Sequence, residues 1–368
     1  MSRPDLQNVT YREMAYCFPT LALGGTPEAP RLKPTAELLL DWARETAPVV
    51  VHDDYGVLTT CLGGGGSQYF LSDKYTHHLR LAAALEANGL DLSAQTRFTP
   101  LDEVAPLPAR AIMQVPKSLD LFELYLWCLT RRAAGVERIA AAFQTRHFSA
   151  RMLEIAARYA GTVSQSRAYK KARLLYLDDL RAHEEPLPFR EVVFRARTYR
   201  QYYGVFSAHH VDYATQFLLD EWDRKPVLRD LPVPRTILDI GCGNAVIGDR
   251  LLVRYPAADL VATDVSAVAT ASARYNVARA QVQWTDQVPA PPDPGYDLIV
   301  TNPPFHEGHR NTVDISRELF RQAAASLSPA GHLVVVANRH LNYATHLRRL
   351  FPTVLTVAES RKFVVYRC

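Results

Sequence analysis

The sequence predicts an α/β protein of two tandem domains arising from duplication, each a mostly parallel sheet with helices on both faces. Three observations predict it. The 368 residues exceed what one hydrophobic core usually organises. Short apolar runs alternate with helical spacings through the second half. A weaker version of the same pattern runs through the first half. The expected domains are 1–178 and 179–368.

The clearest unit begins at Thr236-Ile237-Leu238-Asp239-Ile240, an apolar run followed by Gly241-Cys242-Gly243 and then by Val246, Ile247, Leu251 and Leu252 at helical spacing. Strand, glycine loop and helix are read there in that order. Residues 260–264 predict a second strand ending in the acid Asp264, backed by an alanine-rich helix over 267–280. Residues 296–300 predict a buried strand that ends in Thr301-Asn302-Pro303-Pro304-Phe305. A helix over 315–327 follows, closed by Ser328-Pro329-Ala330-Gly331, and 333–337 is the next strand. Ligands of such sheets bind beyond the carboxyl ends of the strands.

In the first half, Val49-Val50-Val51-His52-Asp53-Asp54-Tyr55-Gly56 mirrors 236–243, and Phe70-Leu71-Ser72-Asp73 mirrors 262–264. Pro116 falls on Pro303 and His52 on Asp239 at one shared offset of 187. Arg167-Ala168-Tyr169-Lys170-Lys171-Ala172-Arg173 echoes Glu359-Ser360-Arg361-Lys362-Phe363. This copy lacks a Gly-x-Gly loop and carries Val115-Pro116-Lys117 in place of the Asn-Pro-Pro-Phe turn, so it is expected not to catalyse.

Composition narrows the function classes. No apolar run approaches the ~20 residues of a membrane span. The five cysteines Cys17, Cys61, Cys128, Cys242 and Cys368 lie far apart without a C-x-x-C pair, and the N-terminus shows no secretory pattern. A cytoplasmic protein with neither disulfide framework nor structural zinc is expected. Net charge is only +4, but residues 101–200 hold 17 Lys and Arg against 11 Asp and Glu. The basic excess therefore sits mid-chain, where it could neutralise phosphates.

Each chemical motif lies at a strand end. In Asp239-Ile240-Gly241-Cys242-Gly243-Asn244 the glycines let the backbone turn and approach a ligand, and Asp239 can accept from a cationic amino group or nearby amides. Asp264, with Val265 beside it, is placed to bind both hydroxyls of a ribose, which suggests an adenosyl cofactor. Val246 stands where a dinucleotide fingerprint needs its third glycine, which argues against nicotinamide. Asp286 is a candidate acceptor for the adenine amino group. Phe206-Ser207 reads equally as core packing or as a lid on the cofactor.

Asn302-Pro303-Pro304-Phe305 is the most specific feature. Two prolines remove two amide donors, leaving a side-chain amide oxygen and a backbone carbonyl as paired acceptors. Two acceptors suit an NH₂ group, drawing its lone pair out of conjugation and aiming it at an electrophilic methyl. Phe305 can stack on an extruded base. His306 and His309 lack further ligands for a metal, and nothing marks Cys242 as a nucleophile.

The segments Val205-Phe206-Ser207, Leu238 to Asn244, Asn302 to His306, Ala337-Asn338-Arg339-His340-Leu341 and Lys362-Phe363-Val364-Val365 resemble the bacterial RsmC/RlmG family of ribosomal RNA guanine-N2 methyltransferases. The last two look most like the branch acting on large-subunit RNA. The resemblance covers both halves and implies tandem class I (Rossmann-like) methyltransferase domains with seven-stranded sheets. It further implies S-adenosylmethionine as donor and a guanine exocyclic amine in ribosomal RNA as acceptor; no metal and a monomer are also expected. Two positions depart from the family pattern: Ala245 replaces the usual glycine, and His209-His210-Val211-Asp212 follows Phe206-Ser207. In the non-catalytic first domain, Lys117, Arg131, Arg132, Arg167, Lys170, Lys171 and Arg173 are expected to help hold the RNA. The competing readings are a guanine of small-subunit RNA, another planar amine (adenine N6 of DNA or a protein glutamine amide), and a non-catalytic RNA-binding protein.

Overall fold

A computed structural model describes residues 6–19, 31–44, 46–63, 68–303 and 311–368, without the side chains of 311–313. The chain divides into two compact units between Pro188 and Phe189. This is later than the expected 178/179 boundary, because the last strand of the first unit runs through that point to Leu180.

The first unit opens with a hairpin of β1 (Leu6–Tyr11) and β2 (Met14–Pro19). Strands β3 (Val49–Val51), β4 (Gln68–Leu71), β5 (Gln95–Phe98), β6 (Arg110–Gln114), β7 (Arg138–Gln144), β8 (Ala160–Gln165) and β9 (Ala172–Leu180) form one seven-stranded sheet ordered β5-β4-β3-β6-β7-β9-β8. Its helices are α1 (Pro34–Trp42), α2 (Val57–Leu62), α3 (Tyr75–Ala87), α4 (Leu119–Thr130) and α5 (Ala150–Tyr159).

The second unit repeats the plan. A hairpin of β10 (Phe189–Phe194) and β11 (Arg197–Tyr202) precedes β12 (Thr236–Ile240), β13 (Asp259–Asp264), β14 (Gln281–Trp284), β15 (Tyr296–Thr301), β16 (Leu327–Asn338), β17 (Leu355–Glu359) and β18 (Phe363–Arg367). The sheet order is β14-β13-β12-β15-β16-β18-β17, the same permutation as in the first unit. Its helices are α6 (Tyr213–Arg224), α7 (Pro226–Arg229), α8 (Val246–Arg254), α9 (Ala267–Asn276), α10 (Asn311–Ser326) and α11 (Ala344–Leu347). In each sheet only the penultimate strand of that order, β9 or β18, runs against its neighbours. Identical order and direction in two halves is what a duplication leaves behind.

Period-two alternation divides the apolar strand residues between two cores. Ile237, Leu298, Val300, Val334 and Val336 pack with Leu218, Trp222, Leu251 and Ala273 on one face. Leu238, Ile240, Ile299, Leu333 and Val335 pack with Phe320, Tyr343 and Leu347 on the other. A strand buried on both faces has no polar side, which is why these runs read as continuous hydrophobic segments.

Two local expectations are corrected. The alanine-rich helix stops at Asn276, because the Asn276 side chain turns to the β10–β11 hairpin, accepting from the Arg200 amide at 2.8 Å. Residues 328–331, expected to close a helix, lie in β16 instead, with a register shift where Tyr296 pairs with Leu327 but Leu298 with His332. Gly295 makes that shift possible: its φ is +133°, and a Cβ there would fall on the Ser328 amide nitrogen. Gly295→Ala is therefore expected to lower stability by about 3 kcal/mol or more. A urea midpoint unchanged from the parent would show that β16 can move aside.

Candidate active site

The loop from Gly241 to Ala245 turns by alternating into left-handed backbone, with φ +69° at Gly241, +55° at Gly243 and +61° at Ala245. Its amides are tied to the neighbouring strand: Gly241 and Cys242 donate to the Thr263 carbonyl at 2.8 and 2.9 Å, and Gly243 to Asp264 Oδ2 at 2.9 Å. A Cβ on Gly241 or Gly243 would meet nothing within 4 Å, so open space, not packing, borders the glycines. Ala245 sits at the helix-cap position of α8, fully buried in the left-handed region that a glycine enters without strain.

Asp239 lies under this loop, 1% exposed, with Oδ2 accepting from the Gly248 amide at 3.0 Å and Oδ1 unpaired. Burial pushes its carboxyl up to about 7, against the pull of the Gly248 hydrogen bond and with a further push from Asp264. Asp264 Oδ2 accepts from the Gly243 amide and its Oδ1 from the Ser266 amide, the latter at 2.8 Å. Asp286 also holds a buried, unpaired Oδ1. Val265 anchors Trp284, whose indole N–H donates to its carbonyl at 2.9 Å. The Cys242 thiol is held well above its ordinary range by burial and the two aspartates, so it stays protonated and inert.

Asn302 follows β15 directly. Its Nδ2 donates to Asp212 Oδ2 at 2.8 Å and to Thr215 Oγ1 at 3.2 Å, and its Oδ1 is buried without a partner. A carboxylate accepts only, so the amide has one sensible orientation, with oxygen outward. Asp212 is itself fixed as the cap of α6, accepting from the Ala214 and Thr215 amides. Thr301 locks the two strand ends together, its Oγ1 donating to the Ile240 carbonyl at 2.9 Å. Pro303 is buried behind Asn302, whereas Pro304, Phe305, His306 and His309 lie outside the described residues.

Phe206 is 52% exposed and so lies outside the core. The carbonyls of Phe206 and Ser207 accept from Gln201 Nε2 at 3.3 and 2.9 Å, and Gln201 Oε1 accepts from Asn244 Nδ2 at 2.8 Å. Gln201, 2% exposed, thus couples the Phe206-Ser207 turn to the glycine loop. Asn276 adds a second tie, donating to the Asn244 carbonyl at 2.9 Å. No local signal marks Gln201, Asn276 or Thr215, and Asp212 stands out only as a departure from the family pattern.

The corresponding strand ends of the first unit carry different residues. Val51 pairs with Met113 as Ile240 pairs with Thr301, which puts Gln114 at the place of Asn302 and slips the offset from 187 by about one residue. His52 Nδ1 lies 3.2 Å from the Tyr125 hydroxyl, and the His52 and His77 rings sit 4.9 Å apart. Burial holds His52 down to about 4 and His77 lower than its usual range, so both stay neutral. His52 follows β3, and His77 and Tyr125 come from α3 and α4, so these groups cluster at the strand ends where the second unit carries its glycine loop.

The seven basic residues expected to hold RNA fall into two groups. Lys117 follows β6, and Arg167, Lys170, Lys171 and Arg173 surround the β8–β9 turn, at the carboxyl end of β7. Arg131 and Arg132 follow α4, at the opposite end of the sheet. There Arg131 donates to the Asp102 carbonyl and Arg132 pairs with Glu184 at 2.9 Å. They do not join the others. Lys170 is paired with Glu37 at 3.2 Å, while Lys117, Arg167 and Lys171 have no side-chain partner among the described residues.

Fold and site define a duplicated class I (Rossmann-like) methyltransferase with the glycine loop and the Asn302 turn in the second unit alone. Residues 197–367 match the methyltransferase small domain family and residues 34–181 the RLMG N-terminal domain family. The ribosomal RNA large subunit methyltransferase G of Alcanivorax borkumensis is 32% identical over 87% of this chain and 83% of its own. That of Shewanella sp. (strain ANA-3) is 31% identical over 86% and 85%. The Thermus thermophilus 16S rRNA N2 G1207 methyltransferase (RsmC), solved with AdoMet and guanosine, superposes with a TM-score of 0.75 at 20% identity, covering 99% of this chain and 97% of that one. The chain belongs to the ribosomal RNA large subunit methyltransferase G family. Among the described residues no group of three or more His, Cys, Asp or Glu could hold a metal ion, and no helix is long and apolar enough to cross a membrane.

Proposed function

We propose that this protein transfers a methyl group from S-adenosylmethionine to the exocyclic N2 amine of a specific guanine in large-subunit (23S) ribosomal RNA. The observation that carries the reading is a set of three buried acceptor atoms without donors, Oδ1 of Asp239, Asp286 and Asn302, in or just past the carboxyl ends of three strands of one sheet. A buried acceptor left unmade costs about 1–3 kcal/mol, so such atoms converge where a donor-rich ligand binds. The cofactor's ammonium, ribose hydroxyls and adenine amine are suitable donors for Asp239, Asp264 and Asp286, with the backbone of Gly241, Cys242, Gly243, Asn244 and Val265 along the adenosyl group. Phe206 and Ser207 close over it. When bound, S-adenosylmethionine supplies an electrophilic methyl.

The chain's own work is on the amine. Asn302 Oδ1, rigidly aimed by Asp212 and Thr215, accepts one N2–H. A carbonyl of the Pro303-Pro304 turn accepts the other, and Phe305 stacks on the base. Both bonds favour a tetrahedral nitrogen whose lone pair points away from the ring, and the methylated nitrogen then loses its proton to water. The first unit, which lacks the glycine loop and the Asn302 turn, serves as an RNA platform through Lys117, Arg167, Lys170, Lys171 and Arg173. All of these groups come from one chain, which fits a monomer; five free thiols fit the cytoplasm.

Parallel methyl transfer from labelled donor to deproteinised 23S RNA, small-subunit RNA, DNA and protein tests the reading. Label is expected in 23S RNA, released on digestion as N2-methylguanosine. Label in adenine, glutamine or small-subunit RNA alone would overturn it.

A further inference from the structure

We propose that the groove where β16 ends against the β17–β18 turn is a phosphate-binding track that holds the RNA strand next to the target guanine, an inference that rests on the function proposed above. Asn338, Arg339, His340, Arg361 and Lys362 line a space of about 500 Å³ there. The two walls are fixed to one another, since the Arg339 amide donates to the Lys362 carbonyl at 2.8 Å and Asn338 pairs with Phe363 in the sheet.

The chemistry of the groove is that of an anion site. Four of its five residues carry or can acquire positive charge, and Arg339, His340, Arg361 and Lys362 are all exposed. Among the described residues Glu359 is the one acid bonded to them, to Arg339 at 3.3 Å, with both side chains half exposed. Such an exposed pair is weak and exchanges readily for a phosphate, which a guanidinium grips through two N–H groups. Arg361 and Lys362 have no side-chain partner among the described residues.

Position gives the groove its purpose. Thr301 of β15 pairs with Val335 of β16, so Asn302 stands one residue past that rung and Asn338 three past it on the adjacent strand. The groove thus opens one strand over and roughly 7 Å beyond the Asn302 turn. That is too far to touch the reacting amine and near enough to hold a flanking backbone. The same device recurs in the first unit, where Lys170 and Lys171 occupy the turn between β8 and β9. No aromatic residue other than His340 lines the groove, so the grip is on the backbone and indifferent to sequence.

The test compares the full-length parent with an Arg361→Gln/Lys362→Gln variant, using a 23S RNA fragment titrated over a range of KCl. The slope of log affinity against log salt is expected to become shallower by about 1.4, near 0.7 for each phosphate contact on a single strand. KM for RNA rises while kcat and cofactor affinity hold. A charge-keeping Arg361→Lys/Lys362→Arg variant retains the parent slope; if it loses as much as the glutamine pair, folding and not charge is at work and the track is overturned. A parent that methylates RNA beside a glutamine variant with the same slope and KM overturns the track alone. A parent that neither binds nor methylates RNA overturns the functional reading beneath it.

Discussion

Asn302→Ala is expected to lower kcat by about 10²–10³-fold, or about 3–4 kcal/mol of transition-state stabilisation, with S-adenosylmethionine affinity nearly unchanged. The magnitude is that of a preorganised group facing charge that develops only in the transition state. Asn302 qualifies because nothing about its amide is adjustable: Asp212 and Thr215 hold the NH₂ end, and the free oxygen is buried. Asn302→Asp tests orientation separately. A carboxylate facing the Asp212 carboxylate loses the donor that fixes it, and repulsion turns it away, so this near-isosteric change is expected to be almost as damaging as alanine. Asp212→Asn keeps the α6 cap but weakens the charge-assisted bond to Asn302, and a smaller fall in kcat is expected. Single-turnover methyl transfer at saturating cofactor, with the cofactor's Kd measured by calorimetry, checks the series. Parent-like transfer by Asn302→Ala would make the turn structural.

The parts legible in the sequence are those encoded by neighbours. Strand β12, the two glycines and the acid at the end of β13 follow one another closely, and the buried strands declare themselves by unbroken apolar runs. The duplication was legible as well, though the offset of 187 came from matching Pro116 to Pro303 and His52 to Asp239, and strand pairing moves Gln114 into register with Asn302. What stayed hidden depends on contacts between distant positions. Asn302 meets Asp212 and Thr215 across 90 and 87 residues, and Asn244 meets Gln201 across 43. Nothing local distinguishes Gln201 from the other polar residues of a hairpin. The split of the basic group was hidden for a similar reason. Arg131 and Lys117 are 14 positions apart in sequence, yet the whole of α4 carries the chain from one end of the sheet to the other between them. A linear charge count cannot see that reversal. In the first unit the loss of glycines was legible, but the cluster of His52, His77 and Tyr125 at those strand ends required the fold.

Cofactor affinity is expected to rise with pH through about 7 and to fall again near 8. Asp239, pushed up to about 7 by burial, must ionise to receive the cofactor's ammonium, while that α-amino group itself loses its proton near ~8. Asp239→Asn removes the rising limb and, by deleting a charge-assisted hydrogen bond of about 1.5–3 kcal/mol, weakens binding by about one to two decades. Stability should move in the opposite sense. Between the ordinary 3.8 of the unfolded chain and about 7, folded Asp239 keeps a proton that the unfolded chain has released. Its contribution to stability therefore declines as pH rises through that window and is flat above it. Asp53, likewise pushed up to about 7 by burial in the first unit, declines in the same window. The Asp239→Asn variant should thus show a shallower fall in Tm between pH 5 and 7 than the parent, with the Asp53 part remaining. Measuring Kd and Tm across the same pH series separates the two effects. An ionised Asp239 is disfavoured by burial in the empty fold and favoured by the cation in the loaded one, so binding and ionisation support each other. A parent whose cofactor affinity did not change between pH 6 and 7.5 would mean that Asp239 takes no part in holding the cation.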